Sequence, residues 1–255
     1  MNPTDQKFGV EGSRRGFLKS LGTTCLALLG ADALAGCWPG QGGRASPGSE
    51  PALMSPNEDL MQEHALLNRV LLVYEEAIRR LEADKELDPV VLKSSAQIIQ
   101  HFVEQYHEKL EENYVFPRFE KAGKLLDLVK VLREQHKAGR LLTQGIVSMS
   151  ALSVFKNPPQ RKKLSGFLST FIRMYRPHET REGSVLFPAF RDLISPQDFQ
   201  ELGDMFERKE HELLGAEGFE GQVQRVSSIE RQLGIFDLSQ YTPKSVSPGG
   251  MNYSV

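Results

Sequence analysis

The chain has 255 residues, of which 25% are charged and 40% are hydrophobic, and its formal net charge is -2. This is enough apolar material for one medium-sized domain with a core, and the balanced charge argues against a dedicated nucleic-acid-binding protein. Two cysteines are too few for a disulfide framework or a cysteine-based zinc site, so any metal must be held by nitrogen and oxygen ligands.

Residues 1–37 have the features of an export signal. An apolar stretch of about sixteen residues is shorter than the ~20 that a membrane span needs, which favours the central region of a signal peptide. A chance arginine pair before a buried helix is the alternative. The segment before the stretch, SRRGFLK, resembles a twin-arginine export signal through Ser13, Arg14, Arg15, Phe17, Leu18 and Lys19.

The apolar stretch ends in Leu34-Ala35-Gly36-Cys37, which resembles a bacterial lipobox, whose cysteine becomes the lipid-modified first residue of the mature protein. A site for ordinary signal peptidase is the alternative. Residues 38–55 are rich in Gly, Pro and Ser and predict a flexible tether. The sequence therefore predicts twin-arginine export and a lipid anchor at Cys37, on the periplasmic or outer face of the cell envelope.

Residues 56–216 predict an all-α domain. Four long helices with short connections favour an up-down-up-down four-helix bundle. Residues 217–255 predict a C-terminal segment with an additional amphipathic helix and a partly disordered end. The cap and breaker residues place the four long helices at about 56–83, 89–121, 125–152 and 160–193, and a fifth helix at 197–215.

A repeated motif is the most informative feature of the chain. Residues 106–119 read YHEKLEENYVFPRF, and residues 177–190 read PHETREGSVLFPAF. The spacing from His107 to His178 equals the spacing from Glu111 to Glu182. Because positions i and i+4 share a helix face, each motif presents an imidazole and a carboxylate in one direction.

Each of the four long helices carries one repeat-related histidine, because His64 and His136 lie near the middle of the first and third helices. Burying four imidazoles and two glutamates without a counter-charge is costly, and coordination of a metal relieves that cost. Bridging carboxylates together with imidazoles favour a pair of iron or manganese ions over structural zinc. His101 and His211 lie outside the repeat, and we expect them to be structural or exposed.

This constellation resembles the hemerythrin-like, HHE cation-binding family over residues 57–238. The Phe-Pro after each His-x-x-x-Glu and the tail segment IERQLGIFDL carry the same resemblance. Ferritin-like di-iron bundles are the near alternative, but they use Glu-x-x-His. The resemblance implies two non-haem irons bridged by Glu111 and Glu182, with His64, His107, His136 and His178 as terminal ligands.

The chain departs from the oxygen carriers of that family. They place a second histidine four residues after the first on the third helix, where this chain has Arg140. Glu108 or Glu179, each next to a ligand histidine, could fill the gap or belong to a solvated face. Pro177 predicts a kink or local bulge that re-aims His178.

The sequence therefore predicts a membrane-tethered di-iron protein that interacts with a small oxidant, namely oxygen, peroxide or nitric oxide, rather than a reversible oxygen carrier. The first alternative is a non-catalytic iron- or redox-sensing module whose state alters contacts with a protein partner. The second is a helical bundle without a metal. Whether the protein is an enzyme stays open.

Overall fold

The computed structural model describes residues 54–243, which contain helices and turns but no β-strand. Within this span, no helix combines the length and the hydrophobicity that a membrane crossing requires. The predicted export signal at 1–37, the tether up to residue 53 and the C-terminal residues 244–255 lie outside the described residues.

Seven helices follow one another in the described part of the chain, and the four long ones lie where the sequence predicts them. The C-terminal helix starts five residues before the amphipathic segment at 223–236 from which it was predicted. The helices are α1 (Pro56–Glu82), α2 (89–122), α3 (Leu126–Met149), α4 (Leu152–Phe155), α5 (158–191), α6 (Pro196–Leu214) and α7 (Gly218–Leu233). Leu238–Tyr241 form a 3-10 turn.

Local side chains fix where the long helices begin and end. Ser55 and Glu58 form a reciprocal capping box at the start of α1, with N···O distances of 3.3 and 2.9 Å. Asn157 caps α5, because its side-chain oxygen accepts from the backbone N–H of Gln160. Gly123 ends α2 in the left-handed conformation, with φ 66°, which glycine adopts without strain.

The four long helices contact one another in a ring: α1 packs on α2, α2 on α3, α3 on α5, and α5 on α1. α6 and α7 pack against α1, and α7 also packs against α2. Arg69 of α1 fastens α7 through hydrogen bonds to Glu230 and Ser227. Fully buried aromatic side chains such as Phe102 and Phe171 fill the interior.

Parts of α2 and α5 are π-helical, namely Ile99–His107, Glu111–Val115 and Glu182–Leu186. The last two stretches start at the two repeat-related glutamates, so the repeat extends to the backbone geometry. π-Turns inside α-helices are frequent at functional sites.

Of the two distortions predicted at Pro177, a kink or a local bulge, the structure shows no local bulge there. α5 stays α-helical from Pro158 to Arg181, and its π-turn starts at Glu182, as the matching turn of α2 does without any proline. Pro177 is exposed, so solvent can hydrate the backbone carbonyl that loses its helical partner.

Candidate metal centre

The structure brings the six predicted ligand residues together in the interior. Four of them, one from each long helix, are the repeat-related histidines, and the other two are the repeated glutamates. None is more than 8% exposed, and Glu111, His136 and Glu182 are at 0%.

Glu182 faces one histidine on each side. Its Oε2 lies 3.3 Å from Nε2 of His64, and its Oε1 lies 3.2 Å from Nε2 of His178. The two carboxylate oxygens therefore lie close to imidazoles of two different helices, α1 and α5.

Glu111 occupies the corresponding place across the centre. Its Oε2 lies 3.6 Å from Nε2 of His107 and 3.5 Å from Nε2 of His136. The Nε2 atoms of His107 and His64 are only 3.1 Å apart. Each glutamate thus joins the histidine pair of α1 and α2 to the pair of α3 and α5.

The donor atoms fit a bound cation. All four carboxylate oxygens of Glu111 and Glu182, and Nε2 of His136, are buried without a hydrogen-bond partner. Leaving such groups unsatisfied costs folding free energy that a bound cation would offset. Two of the groups whose donor atoms lie within 4.8 Å of one another consist of these residues: His64, His107, Glu111 and Glu182, and His136, His178 and Glu182.

The environment shifts the pKa values of Glu111 and Glu182 in opposite directions. Burial, together with repulsion from Glu182, raises the pKa of Glu111 well above its usual range. Burial also acts to raise the pKa of Glu182, but His178 and His64 outweigh it and hold that pKa well below its usual range. Burial lowers the pKa of His64, which favours the neutral imidazole that binds metals.

Residues 55–154 match the family model described as the hemerythrin HHE cation binding domain. Uncharacterized proteins of Mycobacterium bovis and Mycobacterium tuberculosis are each 44% identical over 222 residues, which is 85% of this chain and 87% of the relative. This chain belongs to their family and carries an HHE domain. No solved structure matches the chain.

The HHE model spans His64, His107, Glu111 and His136 but ends before α5. His178 and Glu182 lie outside the matched residues and join the centre through the second copy of the motif and their position in the structure.

Side chains from neighbouring helices hold the outer nitrogens of two centre histidines, His107 and His178. Oε2 of Glu63 lies 2.7 Å from Nδ1 of His107, and Nδ1 of His178 lies 2.9 Å from Oε1 of Gln135. Such contacts fix the ring orientation and direct Nε2 towards the metal position. Glu63 directly precedes His64, and Gln135 directly precedes His136, so these contacts also follow the repeat.

Arg140 stands outside the donor cluster but supports it. Its Nη2 donates to Oε2 of Glu108 and to Oε1 of Glu112, both at 2.6 Å. Oε1 of Glu112 lies 3.1 Å from Nδ1 of His136. Tyr175 donates to Oε1 of Glu108 at 2.7 Å, so both oxygens of Glu108 are engaged away from the centre.

Glu179, the other suggested substitute ligand, keeps an oxygen available. It is 6% exposed, and its Oε2 has no hydrogen-bond partner. Burial raises its pKa to about 7, although Asn68 and His178 act in the opposite direction. His101 is exposed, as expected, and contacts Gln105 of its own helix.

Sequence reasoning missed Glu63, Glu112, Gln135 and Tyr175. A signal existed for Glu63 and Gln135, because each directly precedes a centre histidine at the same repeat spacing. Glu112 and Tyr175 gave no comparable signal, since neither directly precedes a centre histidine.

Proposed function

We propose that this protein binds two non-haem iron ions and that the loaded centre interacts with a small oxidant, namely oxygen, hydrogen peroxide or nitric oxide. The proposed ligands are His64, His107, Glu111, His136, His178 and Glu182, with the two glutamates as bridges. The observation that carries the proposal is the pair of buried glutamates, each facing imidazoles of two helices with no hydrogen-bond partner on either oxygen.

The HHE match supports a cation site, and the mixed carboxylate and imidazole set favours iron, with manganese second. Bound iron would supply one-electron redox chemistry and a coordination position for the oxidant. The protein would orient the imidazoles through Glu63, Glu112 and Gln135 and exclude bulk water from the centre.

We also propose that α1, α2, α3 and α5 form an up-down-up-down four-helix bundle around this centre. The ring of contacts among the four helices supports it. A crystal structure tests this arrangement directly, and a different order of neighbouring helices would contradict it.

Metal analysis after anaerobic loading with Fe(II) tests the metal proposal. We expect two irons for each chain, and losses of iron in Glu111→Ala and His136→Ala. His101→Ala removes an exposed histidine outside the centre and should keep both irons. Only trace metal in the wild-type protein, after loading with Fe(II) and with Mn(II), would overturn the proposal.

Rapid mixing of the Fe(II) protein with oxygen, hydrogen peroxide or nitric oxide tests the second half of the proposal. We expect a change in the optical spectrum with at least one of the three. Repeated turnover that is lost in His107→Ala would mark an enzyme. A spectral change without turnover would favour the sensing alternative, and no change with any of the three would overturn the interaction.

We further propose that the protein is exported by the twin-arginine route and held by a lipid anchor at Cys37. The SRRGFLK and Leu-Ala-Gly-Cys motifs support this proposal. Replacing Arg14 and Arg15 by lysines should retain the protein in the cytoplasm, and Cys37→Ala should move it from the membrane fraction to the soluble fraction. Unchanged fractionation of Cys37→Ala would contradict the anchor.

A further inference from the structure

The repeat relates two outer faces of the centre, one between α2 and α3 and the other between α1 and α5. The residues on these two faces differ. The step from His64 to His136 relates α1 to α3, and the step from His107 to His178 relates α2 to α5. With these two steps, matching positions of the halves can be compared: Arg133, Arg140, Glu108 and Glu112 of one half correspond to Met61, Asn68, Glu179 and Gly183 of the other.

The face between α2 and α3 is closed by charged contacts. Arg140 bonds to both Glu108 and Glu112. Arg133 adds a hydrogen bond of 3.2 Å from its Nη2 to the backbone carbonyl of Glu112. His136, the histidine behind this network, has a fully buried side chain.

The face between α1 and α5 has smaller and neutral residues at the matching positions. Met61 is 49% exposed, and Asn68 donates to the backbone carbonyl of His64, at 3.2 Å. Gly183 borders open space, because no atom lies within 4 Å of the position that a Cβ would take. With 10% of its side chain exposed, His64 is the most exposed of the four centre histidines.

Glu179 supplies a hydrogen-bond acceptor on this face. Its Oε2 is buried and has no hydrogen-bond partner, whereas both oxygens of its counterpart Glu108 are engaged by Arg140 and Tyr175. The neighbour of Glu179 is the neutral Asn68 rather than an arginine. An unpartnered buried acceptor favours a ligand that donates a hydrogen bond and disfavours an anion.

We propose that small molecules reach the centre between α1 and α5, beside His64 and Gly183, and that Glu179 accepts a hydrogen bond from them. Of the three candidate oxidants, only hydrogen peroxide donates hydrogen bonds, so this face selects peroxide over oxygen and nitric oxide. The identity of the molecule rests on the proposed function, whereas the access route does not.

The access route is tested on the metal-free protein with diethyl pyrocarbonate, which acylates neutral imidazoles. Peptide mass spectrometry should find His64 modified faster than the other three centre histidines. Gly183→Gln should slow the modification of His64 several-fold because its side chain fills the gap. Gly166→Gln, the same change at another unobstructed position of α5, should leave the rate unchanged.

Circular dichroism checks that both variants fold, and the smaller change Gly183→Ser should show a weaker slowing if the glutamine variant unfolds. Equal modification rates at His64 and His136 would overturn the access route. A rate at His64 that neither Gly183 variant changes would also overturn it.

The selection is tested on the iron-loaded protein by mixing its Fe(II) form with hydrogen peroxide or nitric oxide. Glu179→Met, which removes the acceptor, should slow the peroxide reaction about tenfold, the value of one hydrogen bond, and leave nitric oxide binding unchanged. Glu179→Gln keeps an acceptor oxygen and should retain most of the rate. Equal slowing with both molecules overturns the selection.

If the wild-type protein holds no iron, the proposed function and the selection both fail, while the reagent experiment still decides the access route. If iron is bound and Glu179→Met reacts with peroxide at the wild-type rate, the selection fails alone.

Discussion

Glu111 and Glu182 are costly residues for the fold that carries them. Their four oxygens are buried without hydrogen-bond partners, and burial together with repulsion from Glu182 raises the pKa of Glu111. Natural proteins retain such groups mainly at functional sites, where a ligand relieves the penalty. The residues that would hold the metal ions therefore lower the stability of the metal-free protein.

This trade-off predicts opposite effects of Glu111→Gln on stability and on metal loading. The neutral amide removes repulsion with Glu182, so the free energy of unfolding of the metal-free protein should rise by about 1 kcal/mol. The variant should not load two irons. Denaturant titrations in EDTA measure the stability, and a metal-free variant less stable than the wild type would contradict the argument.

Arg140 acts on the centre through Glu112, which contacts His136. Arg140→Gln should weaken binding of the metal ion next to His136 roughly 10- to 100-fold, which is the usual effect of losing a contact that orients a ligand. Binding of the other ion should stay unchanged. Titration with Co(II), followed by its optical spectrum, separates the two binding events. Arg69→Gln is the matched control, because Arg69 also pairs with a buried glutamate at similar exposure, 27% against 25% for the side chains. Similar weakening in both variants would refute the role of Arg140.

Gly139 of α3 makes room for the ring of Tyr175, which belongs to α5. A Cβ at this position would lie 2.0 Å from the hydroxyl oxygen of Tyr175, so only glycine leaves room for the phenol to reach Glu108. The hydrogen bond from Tyr175 to Glu108 therefore depends on the absence of a side chain at Gly139.

Gly139→Ala should lower the free energy of unfolding by about 1–3 kcal/mol, because the added methyl forces packed groups apart. Gly166→Ala should raise it by about 0.5–1 kcal/mol, since that glycine lies in a helix with open space around it and alanine is the better helix former. Thermal and denaturant unfolding of the two metal-free variants measures the difference. Equal effects of the same sign would show that α3 and α5 tolerate a wider spacing.

The sequence predicted the long helices and the donor set for related physical reasons. Cap residues such as Ser55 and Asn157 act locally, and the step of four residues from His107 to Glu111 fixes a shared helix face. The π-turn that starts at Glu111 was not predictable, because it depends on packing against other helices rather than on local preference. The contacts of Arg140 with Glu108 and Glu112 could not be predicted for the same reason.

At the scale of the whole molecule, the centre ties together all four long helices. α1 and α3 contribute His64 and His136, while α2 and α5 each contribute a histidine and a glutamate. No single helix holds a complete set of donors, so the proposed metal ions would bind the folded chain and not the unfolded one. Metal binding should therefore be linked to global unfolding.

Removing the metal should accordingly lower the melting temperature of the entire domain. An ion present at 100 times its Kd adds about 2.7 kcal/mol to the free energy of unfolding, so one ion should raise Tm by about 5–10 °C in a domain of this size. Calorimetry of the loaded protein before and after EDTA measures the shift, and His136→Ala should show a smaller one. His101→Ala should keep the full shift, because His101 is exposed and outside the centre. A Tm that does not respond to iron or manganese would mean that the buried glutamates are relieved in some other way, and the linkage between the centre and the fold would be refuted.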